Sequence, residues 1–334
     1  MKGKFVISLD FEIHWGVFDA LSLDTYKENL TNVPKVVDQL IALSDQYDVK
    51  LTFSTVGLLF ATDKNDIEKY MPSSLPKYED SQLDPFRLIN TVGNDENTDP
   101  LHYANSIIRK IKKASVHEIG THTFAHYNCL ASGQEKEAFE ADLTAAKKIA
   151  NDQNINIQSI VFPKNQVNKE YLKICTKHGI LSYRGCEAHG IYNPNVGSVL
   201  KKFPPLVRLS RLLDSYINLT GSNTYDIEEI ALQNSKLINL PSSRFLRPYV
   251  PKLFFLEGLK IRRIKKAMQH AAKNGELFHL WWHPHNFGAN LDENFKNLES
   301  IFKEFSKLRE RFDFESETMT SLSEQLVGHK FANQ

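Results

Sequence analysis

The sequence predicts a parallel α/β fold, and three observations lead to this prediction. Short apolar runs rich in β-branched residues alternate with longer segments of helical period, which is typical of parallel α/β domains. The composition, with 41% hydrophobic and 24% charged residues, is that of a globular protein. A chain of 334 residues is long for one domain, but α/β barrels of this size fold as a single unit. We therefore expect residues 1–334 to form one domain.

Seven apolar runs are short enough to be buried strands of such a sheet. In chain order they cover residues 4–10, 50–55, 116–121, 159–163, 181–184, 236–241 and 277–283. Helical periodicity predicts helices over residues 26–47, 135–152, 169–178, 259–272 and 292–312. In the last helix an apolar residue recurs at helical spacing, which indicates a buried face. That face consists of Phe295, Leu298, Phe302, Phe305 and Leu308.

Two stretches interrupt this alternation and are predicted to be insertions rather than separate domains. The first, at about residues 64–101, is rich in Pro, Asp and Asn. The second, at about residues 187–235, shows no regular period and includes a predicted turn at Phe203-Pro204-Pro205.

Charge and cysteine content limit the class of partner and the compartment. The formal net charge is +1, which gives the chain no overall attraction to nucleic acid. Cys129, Cys175 and Cys186 form no CxxC motif and leave one cysteine over if two pair, so we expect a reducing compartment. The first residues lack the apolar core of a signal peptide, and no segment approaches the ~20 apolar residues that span a bilayer. These observations predict a cytoplasmic protein.

Two acids stand at the end of the first predicted strand, in the sequence Asp10-Phe11-Glu12. The carboxyl ends of parallel strands are where functional sites assemble. If the chain stays extended, Asp10 and Glu12 point to the same face of the strand. Carboxylates so close repel each other, and a metal ion is their natural partner. Taken alone, an Asp-x-Glu sequence is more often a pair of solvated surface acids.

Histidines at two further places could complete a metal site. His122 and His126 would face the same way on one turn of helix, so both could reach one cation. Two histidines and one carboxylate, with a position left for water, form a known catalytic zinc set. Taken alone, an HxxxH pair is more often structural. At the end of the last strand, His283 and His285 stand on either side of a proline. A buried aromatic core explains the tryptophans of this strand but not the two histidines.

Together these features resemble the polysaccharide deacetylase (NodB-homology) family, whose motifs occur in the same order over residues 4–285. Ser8-Leu9-Asp10-Phe11-Glu12 is similar to the first motif, a strand that ends in two acids. Lys50-Leu51-Thr52-Phe53-Ser54-Thr55-Val56-Gly57 resembles the second. His122-Thr123-Phe124-Ala125-His126 matches the His-(Ser/Thr)-x-x-His motif, and His283 falls on the last motif, Leu-x-His.

The resemblance implies a distorted parallel (β/α) barrel of about seven strands and a hydrolase that removes an N-acetyl group from a sugar. It implies that Glu12, His122 and His126 bind the metal. It further implies Asp10 as the catalytic base and His283 as the general acid. The two carboxylate roles could be reversed, because one residue separates acids that are commonly adjacent in the family. Zn²⁺ is the expected metal, with Co²⁺ or Ni²⁺ as feasible replacements.

One family motif is matched only loosely. Phe162-Pro163-Lys164-Asn165-Gln166 stands where the family has an Arg/Pro loop, and the arginine is absent. We predict that Lys164 binds substrate in its place, with Arg184 as the alternative. Asp214 could keep the general acid charged, but a helix-surface acid is the simpler interpretation of that residue.

The implied reaction is the attack of an activated water on the acetamide carbonyl. Zinc would lower the pKa of a bound water toward ~7, and Asp10 would take its proton. His283, or alternatively His285, would protonate the departing amine. Two other functions stay open. One is hydrolysis of a cyclic amide, as in allantoinase-like relatives, and the other is a non-catalytic barrel that binds glycans.

A local excess of positive charge suggests which kind of sugar is bound. Residues 201–266 contain thirteen Lys and Arg against five Asp and Glu. Arg244 and Arg247 follow a predicted strand directly, and guanidinium groups suit phosphate. The apolar and basic residues 251–256 could rest on an anionic membrane. We therefore predict a lipid-linked or nucleotide-linked sugar phosphate, a role in cell-surface polysaccharide assembly, and peripheral contact with the inner face of the membrane.

Overall fold

Ten strands form one sheet in the computed structural model, which describes residues 1–192, 204–233 and 236–332. The strands are β1 (Lys4–Phe11), β2 (Thr52–Thr55), β3 (Glu118–Thr121), β4 (Ser159–Ile160), β5 (Ser182–Tyr183), β6 (Tyr225–Asp226), β7 (Ile238–Asn239), β8 (Arg244–Phe245), β9 (Glu276–Trp282) and β10 (Glu315–Glu317). Among the described residues, every strand pairing is parallel except that of β6 with β9.

The sheet is curled, and the segment that contains β7 and β8 pairs with the strands at both of its edges. Its order is β9-β1-β2-β3-β4-β5-β7. β7 pairs with β5, whereas β8, a few residues later, pairs with β9. β7 and β8 thus share the seventh position, and β6 and β10 are short additions beside β9 and β1. The predicted distorted parallel barrel of about seven strands is confirmed.

Eleven helices surround this sheet within the described residues. They are α1 (Leu23–Thr31), α2 (Val33–Tyr47), α3 (Lys64–Lys69), α4 (Asn105–Lys113), α5 (Lys136–Asp152), α6 (Leu172–Lys177), α7 (Pro204–Asp214), α8 (Ile227–Leu232), α9 (Glu257–Asn274), α10 (Leu291–Phe312) and α11 (Met319–Ala332). The predicted helix over residues 26–47 is divided at Asn32 into α1 and α2. None of the described helices is long and apolar enough to cross a membrane.

The two predicted insertions contain more regular structure than their sequences indicate. The described part of residues 187–235 holds α7, β6 and α8, so the prediction of an irregular segment is wrong. Pro204 and Pro205 begin α7 instead of forming a turn, because the fixed φ of proline suits the first turn of a helix. Phe203, the first residue of the predicted turn, lies outside the described residues. Residues 64–101 include α3 and bury Ile67 in the main core. That the whole chain forms one domain stays a prediction.

The central strand β1 has two different faces, and both are buried. Phe5, Ile7, Leu9 and Phe11 alternate along it and pack into the main hydrophobic core between the sheet and the helices. The intervening residues belong to the other face, where Val6 packs in a smaller apolar cluster. Further along that face the residues are Ser8 and Asp10, so the interior becomes polar toward the carboxyl end of the strand.

Candidate metal and catalytic site

Three chain segments bring titratable side chains to the polar end of the barrel. They are the end of β1, the loop after β3 and the turn after β9. The residues gathered there are Asp10, Glu12, His122, His126, His283 and His285.

The carboxylate of Glu12 is surrounded by four imidazole rings. Its Oε2 lies 3.2 Å from Nε2 of His122 and 3.3 Å from Nε2 of His126. Its Oε1 lies 3.2 Å from Nε2 of His285 and 3.5 Å from Nε2 of His283. The structure therefore brings the three expected metal ligands together, with Asp10 beside them. Their roles stay predictions.

A glycine keeps this carboxylate in place. After Glu12 the chain forms a short 3-10 turn, Ile13–Gly16, which passes over the carboxyl group. A Cβ atom on Gly16 would lie 1.9 Å from Cδ of Glu12. Any larger residue at position 16 would therefore displace the carboxylate from the histidines.

The hydrogen bonds of His122 decide what fits between its ring and Glu12. Nδ1 of His122 lies 2.8 Å from the carbonyl oxygen of Val161, which can only accept, so Nδ1 carries the proton. In the neutral ring, Nε2 then turns a lone pair toward a carboxylate oxygen. Either the ring becomes charged or a cation lies between these atoms. Four rings around one carboxylate cannot all be charged without strong repulsion, so this donor set fits a divalent metal ion.

The segment from His122 to His126 is a loop, not the helical turn that its spacing predicts. Thr123 and His126 have positive φ angles of 65° and 53°, which a right-handed helix does not contain. Burial lowers the pKa of His126, although the nearby Glu12 carboxylate raises it. The two rings meet at Glu12 because the loop folds back, so the predicted helical turn is wrong although the two rings do lie together.

Asp142, a buried residue of α5, holds this loop. Its Oδ1 accepts the backbone N–H of Phe124 at 2.6 Å, and its Oδ2 accepts that of Ala125 at 3.1 Å. Asp142 was not among the residues predicted to contribute to the site. It acts through the backbone that carries the two histidines.

Replacing Asp142 by Ala is expected to lower the free energy of unfolding by about 2–4 kcal/mol, because two buried N–H groups lose their acceptor. Zinc affinity is expected to fall about 10–100-fold, as for other groups that orient metal ligands. Chemical denaturation and zinc titration measure the two effects. Glu137→Ala, at an exposed position of the same helix, is the matched control. An Asp142→Ala variant with the zinc affinity of the wild type would contradict this role.

Asp10 is held by Arg184, which directly follows β5. Nη1 of Arg184 donates to Oδ1 of Asp10 at 2.7 Å, and Nη2 donates to Oδ2 at 2.8 Å. Burial raises the pKa of Asp10, but Arg184, followed by His122 and His283, more than offsets it, so the pKa lies below its ordinary value. Asp10 is therefore a charged, oriented carboxylate.

Three further side chains contact Arg184, and a fourth, His279, orients one of them. Oδ1 of Asn165 accepts from its Nη2 at 2.8 Å, and the ring of Trp281 lies 4.2 Å from its guanidinium carbon. Oγ of Ser8 accepts from Nη1 at 2.9 Å and donates to Nε2 of His279 at 2.8 Å. Burial, with the charge of Arg184, lowers the pKa of His279 to about 3, so this ring stays neutral.

Lys164, predicted from the family's loop to bind substrate, pairs instead with Asp19. Burial lowers the pKa of His126, and the charge of Lys164 lowers it further by a smaller amount. Lys164 therefore lies near the site. The group beside the expected base is nevertheless Arg184, which the sequence offered only as an alternative. Substrate binding by Lys164 stays a prediction.

Replacing Arg184 by Lys is expected to lower kcat about 10–100-fold with unchanged metal content. A lysine cannot form the two parallel hydrogen bonds that orient Asp10. Lys164→Ala is the matched comparison, and we expect it to change kcat far less. Steady-state kinetics and metal analysis of both variants test the assignment. A larger loss of kcat in Lys164→Ala than in Arg184→Lys would indicate that Lys164, and not Arg184, orients Asp10.

Asp214 is a buried residue that forms ion pairs, not the helix-surface acid that its sequence context predicts. At the end of α7 it forms ion pairs with Arg244 and, at 2.9 Å, with Arg263. Burial raises the pKa of Asp214, but these arginines help to bring it to about 2. Its bonds connect α7 to β8 and α9 and do not reach a histidine of the site. Arg247 donates to Oγ of Ser215 at 2.6 Å. Phosphate binding by Arg244 and Arg247 stays a prediction.

The histidines after β9 are oriented by Asn286 and Tyr26. Nδ1 of His283 donates to Oδ1 of Asn286 at 3.2 Å, and its Nε2 lies 3.6 Å from Oδ2 of Asp10. Nδ1 of His285 lies 2.9 Å from the hydroxyl of Tyr26. Burial lowers the pKa of His283, although the two nearby carboxylates raise it. The side chain of His283 is 24% exposed and that of His285 only 3%, so a substrate can reach His283 more easily.

Known proteins similar to this chain share its fold. The polysaccharide deacetylase family model matches residues 15–182. A Mycobacterium smegmatis protein assigned as a polysaccharide deacetylase superposes with a TM-score of 0.61 at 15% identity, over 98% of this chain and 92% of that one. A Pseudomonas aeruginosa PAO1 protein of the same assignment gives 0.55 at 9% identity, over 96% and 89%. Puue allantoinase gives 0.56 at 9% identity, over 97% and 90%. No curated protein matches the chain in sequence.

The chain belongs to the polysaccharide deacetylase family, because the family model covers half of it. It is accordingly a hydrolase of the class that acts on C–N amide bonds of acetylated sugars. The matched residues include His122 and His126 but neither acid of β1, nor Arg184 or His283. The barrel brings those residues to the matched histidines.

Proposed function

We propose that the protein is a metal-dependent N-deacetylase that hydrolyses the acetamido group of a sugar. The position of Glu12 between His122 and His126, with the Asp10 carboxylate adjacent, carries this proposal. Glu12, His122 and His126 would hold the ion, and their N, N, O donor set suits Zn²⁺. When bound, such an ion supplies Lewis acidity that makes water more acidic and polarises a carbonyl oxygen.

In this proposal Asp10 acts as the base. Arg184 engages its carboxylate through two hydrogen bonds, and the remaining lone pairs of the two oxygens are free to accept a proton. As the oxygen of water attacks the acetamide carbon, Asp10 takes a proton from that water. Glu12 suits this task less well, because both of its oxygens face imidazole rings.

In this proposal His283 protonates the departing amine. Its Nε2 lies 3.6 Å from Oδ2 of Asp10, on the side of the site where water is activated, and in its protonated form this nitrogen gives its proton to the amide nitrogen. The C–N bond breaks as the nitrogen gains the proton, which gives acetate and a free amine. Without that proton the leaving group would be an amide anion, which leaves very poorly.

Product analysis tests this function against its two rivals. The zinc-loaded protein is incubated separately with N-acetylated sugars and with a cyclic amide such as a hydantoin, and acetate, free amine and ring opening are measured. We expect acetate and amine in equal amounts and no ring opening. Ring opening without acetate release would favour cyclic-amide hydrolysis. Binding of the sugar without any product would favour a glycan-binding barrel.

We also propose that the sugar carries phosphate, in a lipid-linked or nucleotide-linked form made in the cytoplasm for cell-surface polysaccharide assembly. Arg247 supports this proposal. Its guanidinium lies 5.7 Å from the ring centre of Phe245, and that ring centre lies 6.1 Å from the ring centre of His283. Arg244 supports it less, because its guanidinium already pairs with Asp214.

The phosphate proposal is tested by comparing an N-acetyl sugar with its diphosphate-linked form. We expect a higher kcat/KM for the linked form, and we expect Arg247→Ala to remove most of that preference. Equal values for the two substrates in the wild type would contradict the proposal.

Peripheral contact with an anionic membrane would bring a lipid-linked sugar to the site. Phe254 and Phe255 are each 65% exposed. Leu206, Leu209 and Leu213 of α7 are also exposed, at a spacing that gives them a common face. We expect the protein to float with anionic vesicles and the Phe254→Ser/Phe255→Ser variant to float less. Equal flotation of the two would contradict this contact.

A further inference from the structure

Two pairs of histidines share the carboxylate of Glu12, and the proposed function uses only one pair as metal ligands. We call Glu12, His122 and His126 the first site. We call Glu12, His283 and His285 the second site. In each site the three donor atoms lie within 4.8 Å of one another. The second site therefore gathers the same donor types as the first.

The donor separations in the second site are those expected around a metal ion. Two ligands about 2.1 Å from a tetrahedral ion lie about 3.4 Å apart. Oε1 of Glu12 lies 3.2 Å from Nε2 of His285 and 3.5 Å from Nε2 of His283. The corresponding separations in the first site are 3.2 and 3.3 Å.

Hydrogen bonds direct both Nε2 atoms of the second site toward Glu12. Oδ1 of Asn286 accepts from Nδ1 of His283 at 3.2 Å, and its Nδ2 donates to the hydroxyl of Tyr26 at 3.0 Å. That hydroxyl lies 2.9 Å from Nδ1 of His285. A histidine that binds a metal through one ring nitrogen donates the N–H of the other to an acceptor. Nδ1 of His283 donates to Asn286 in this way, and Nδ1 of His285 does so when the Tyr26 oxygen accepts from it with its second lone pair. As in the first site, a lone pair on Nε2 of His283 faces a carboxylate oxygen, and a cation between them removes the repulsion.

We propose that a second divalent cation of the zinc type binds Oε1 of Glu12 and the Nε2 atoms of His283 and His285. Glu12 would then supply Oε2 to the first site and Oε1 to the second. This inference rests on the proposed function, because it takes the first site as the catalytic one.

The second ion inhibits the reaction. It occupies the lone pair on Nε2 of His283, which the departing amine needs as a route for its proton. The two cations repel each other, so the ion that binds later is held more weakly. We expect the second site to fill later, because Nδ1 of His285 faces a hydroxyl that can donate as well as accept, whereas Nδ1 of His122 faces a carbonyl oxygen that only accepts. The other carboxylate nearby, Asp10, is already paired with Arg184. Activity should therefore rise with the first equivalent of zinc and fall as the second binds.

Metal titration tests the second site without relying on activity. The metal-free protein is titrated with Zn²⁺ by calorimetry, and bound zinc is counted by elemental analysis after dialysis. We expect two equivalents in the wild type, the second at least about tenfold weaker. His285→Gln should bind only the tight equivalent, and His122→Gln should lose the tight one and keep the other. His270→Gln, at a histidine that is 50% exposed on α9, is the matched control and should bind two.

The outcomes separate this inference from the proposed function. One equivalent in the wild type, kept by His285→Gln, would contradict the second site and leave the proposed function intact. No bound zinc in the wild type would contradict both. Loss of all zinc in a His285→Gln variant with a wild-type circular dichroism spectrum would make His285 a ligand of the first site and contradict the inference.

A second variant covers the case in which His285→Gln does not fold. Tyr26→Phe removes only the hydroxyl beside His285, and we expect it to weaken the second equivalent about 10–100-fold and to leave the first unchanged. Unchanged affinity for both equivalents would contradict the inference. In the same preparations, excess zinc should inhibit the wild type more strongly than Tyr26→Phe.

Discussion

Replacing Asp10 by Asn is expected to lower kcat by about 10²–10⁴-fold while the protein keeps its metal. Asn has the size of Asp but cannot take a proton from water. The metal should stay because the histidines surround Glu12, whereas the partner of Asp10 is Arg184. Steady-state kinetics and elemental analysis of the same preparation measure both effects.

The Glu12→Gln variant is the matched comparison, since we expect it to lose the metal together with the activity. Asp10→Asn leaves the Arg184 charge buried without its partner, which typically costs about 3–5 kcal/mol of stability. Circular dichroism must therefore show that the variant is folded at the assay temperature. If Asp10→Asn loses the metal and Glu12→Gln keeps it, the roles of the two carboxylates are reversed.

Replacing His283 by Ala is expected to lower kcat by about 10²–10⁴-fold with little change in KM. The proton that this ring passes to the amine matters in the transition state and not in substrate binding. With an N-acetyl substrate whose leaving amine is less basic, the substitution should therefore lower kcat less. Such an amine leaves more readily without being protonated. Comparing kcat for the two substrates in wild type and variant measures this difference.

His285 is the rival for the role of general acid, and the same assay distinguishes the two. A His283→Ala variant with near-normal kcat on the normal substrate would remove His283 from the mechanism. An equal loss of kcat on both substrates would indicate that His283 does not protonate the leaving group.

The parts of the site that the sequence predicted are those that a strand or a short motif carries. Asp10 and Glu12 stand at the end of a fully buried strand, and the end of a parallel strand is a known place for functional residues. The spacing of His122 and His126 predicted that the two rings face one point, and the structure brings both to Glu12. The spacing could not distinguish a helical turn from a loop, because residues four apart can meet in both.

Arg184 shows why the rest of the site was harder to predict. It lies far from Asp10 in sequence, and only the curling of the sheet brings β5 opposite β1. One signal was available: an arginine that directly follows a short apolar strand is at risk of burial, and a buried charge needs a partner. That signal indicates that a partner exists but does not identify it.

The burial of Asp142 and Asp214 was not predicted, for a different reason. Both lie in helices, where an acid is usually on the solvated face, and periodicity gives no sign that it is buried. Their partners are backbone N–H groups in one case and distant arginines in the other. Neither kind of partner leaves a local trace in the sequence.

Removing and restoring the metal tests most directly whether Glu12, His122 and His126 hold a catalytic ion. Acetate release from the N-acetylated sugar is measured with protein whose metal has been removed by a chelator, and again after one equivalent of Zn²⁺ is added. We expect the metal-free protein to release acetate at least about 10²-fold more slowly, the added zinc to restore the rate, and His122→Ala to regain none of it. Acetate release at the full rate from protein that elemental analysis finds free of metal would contradict the proposed role of these three residues.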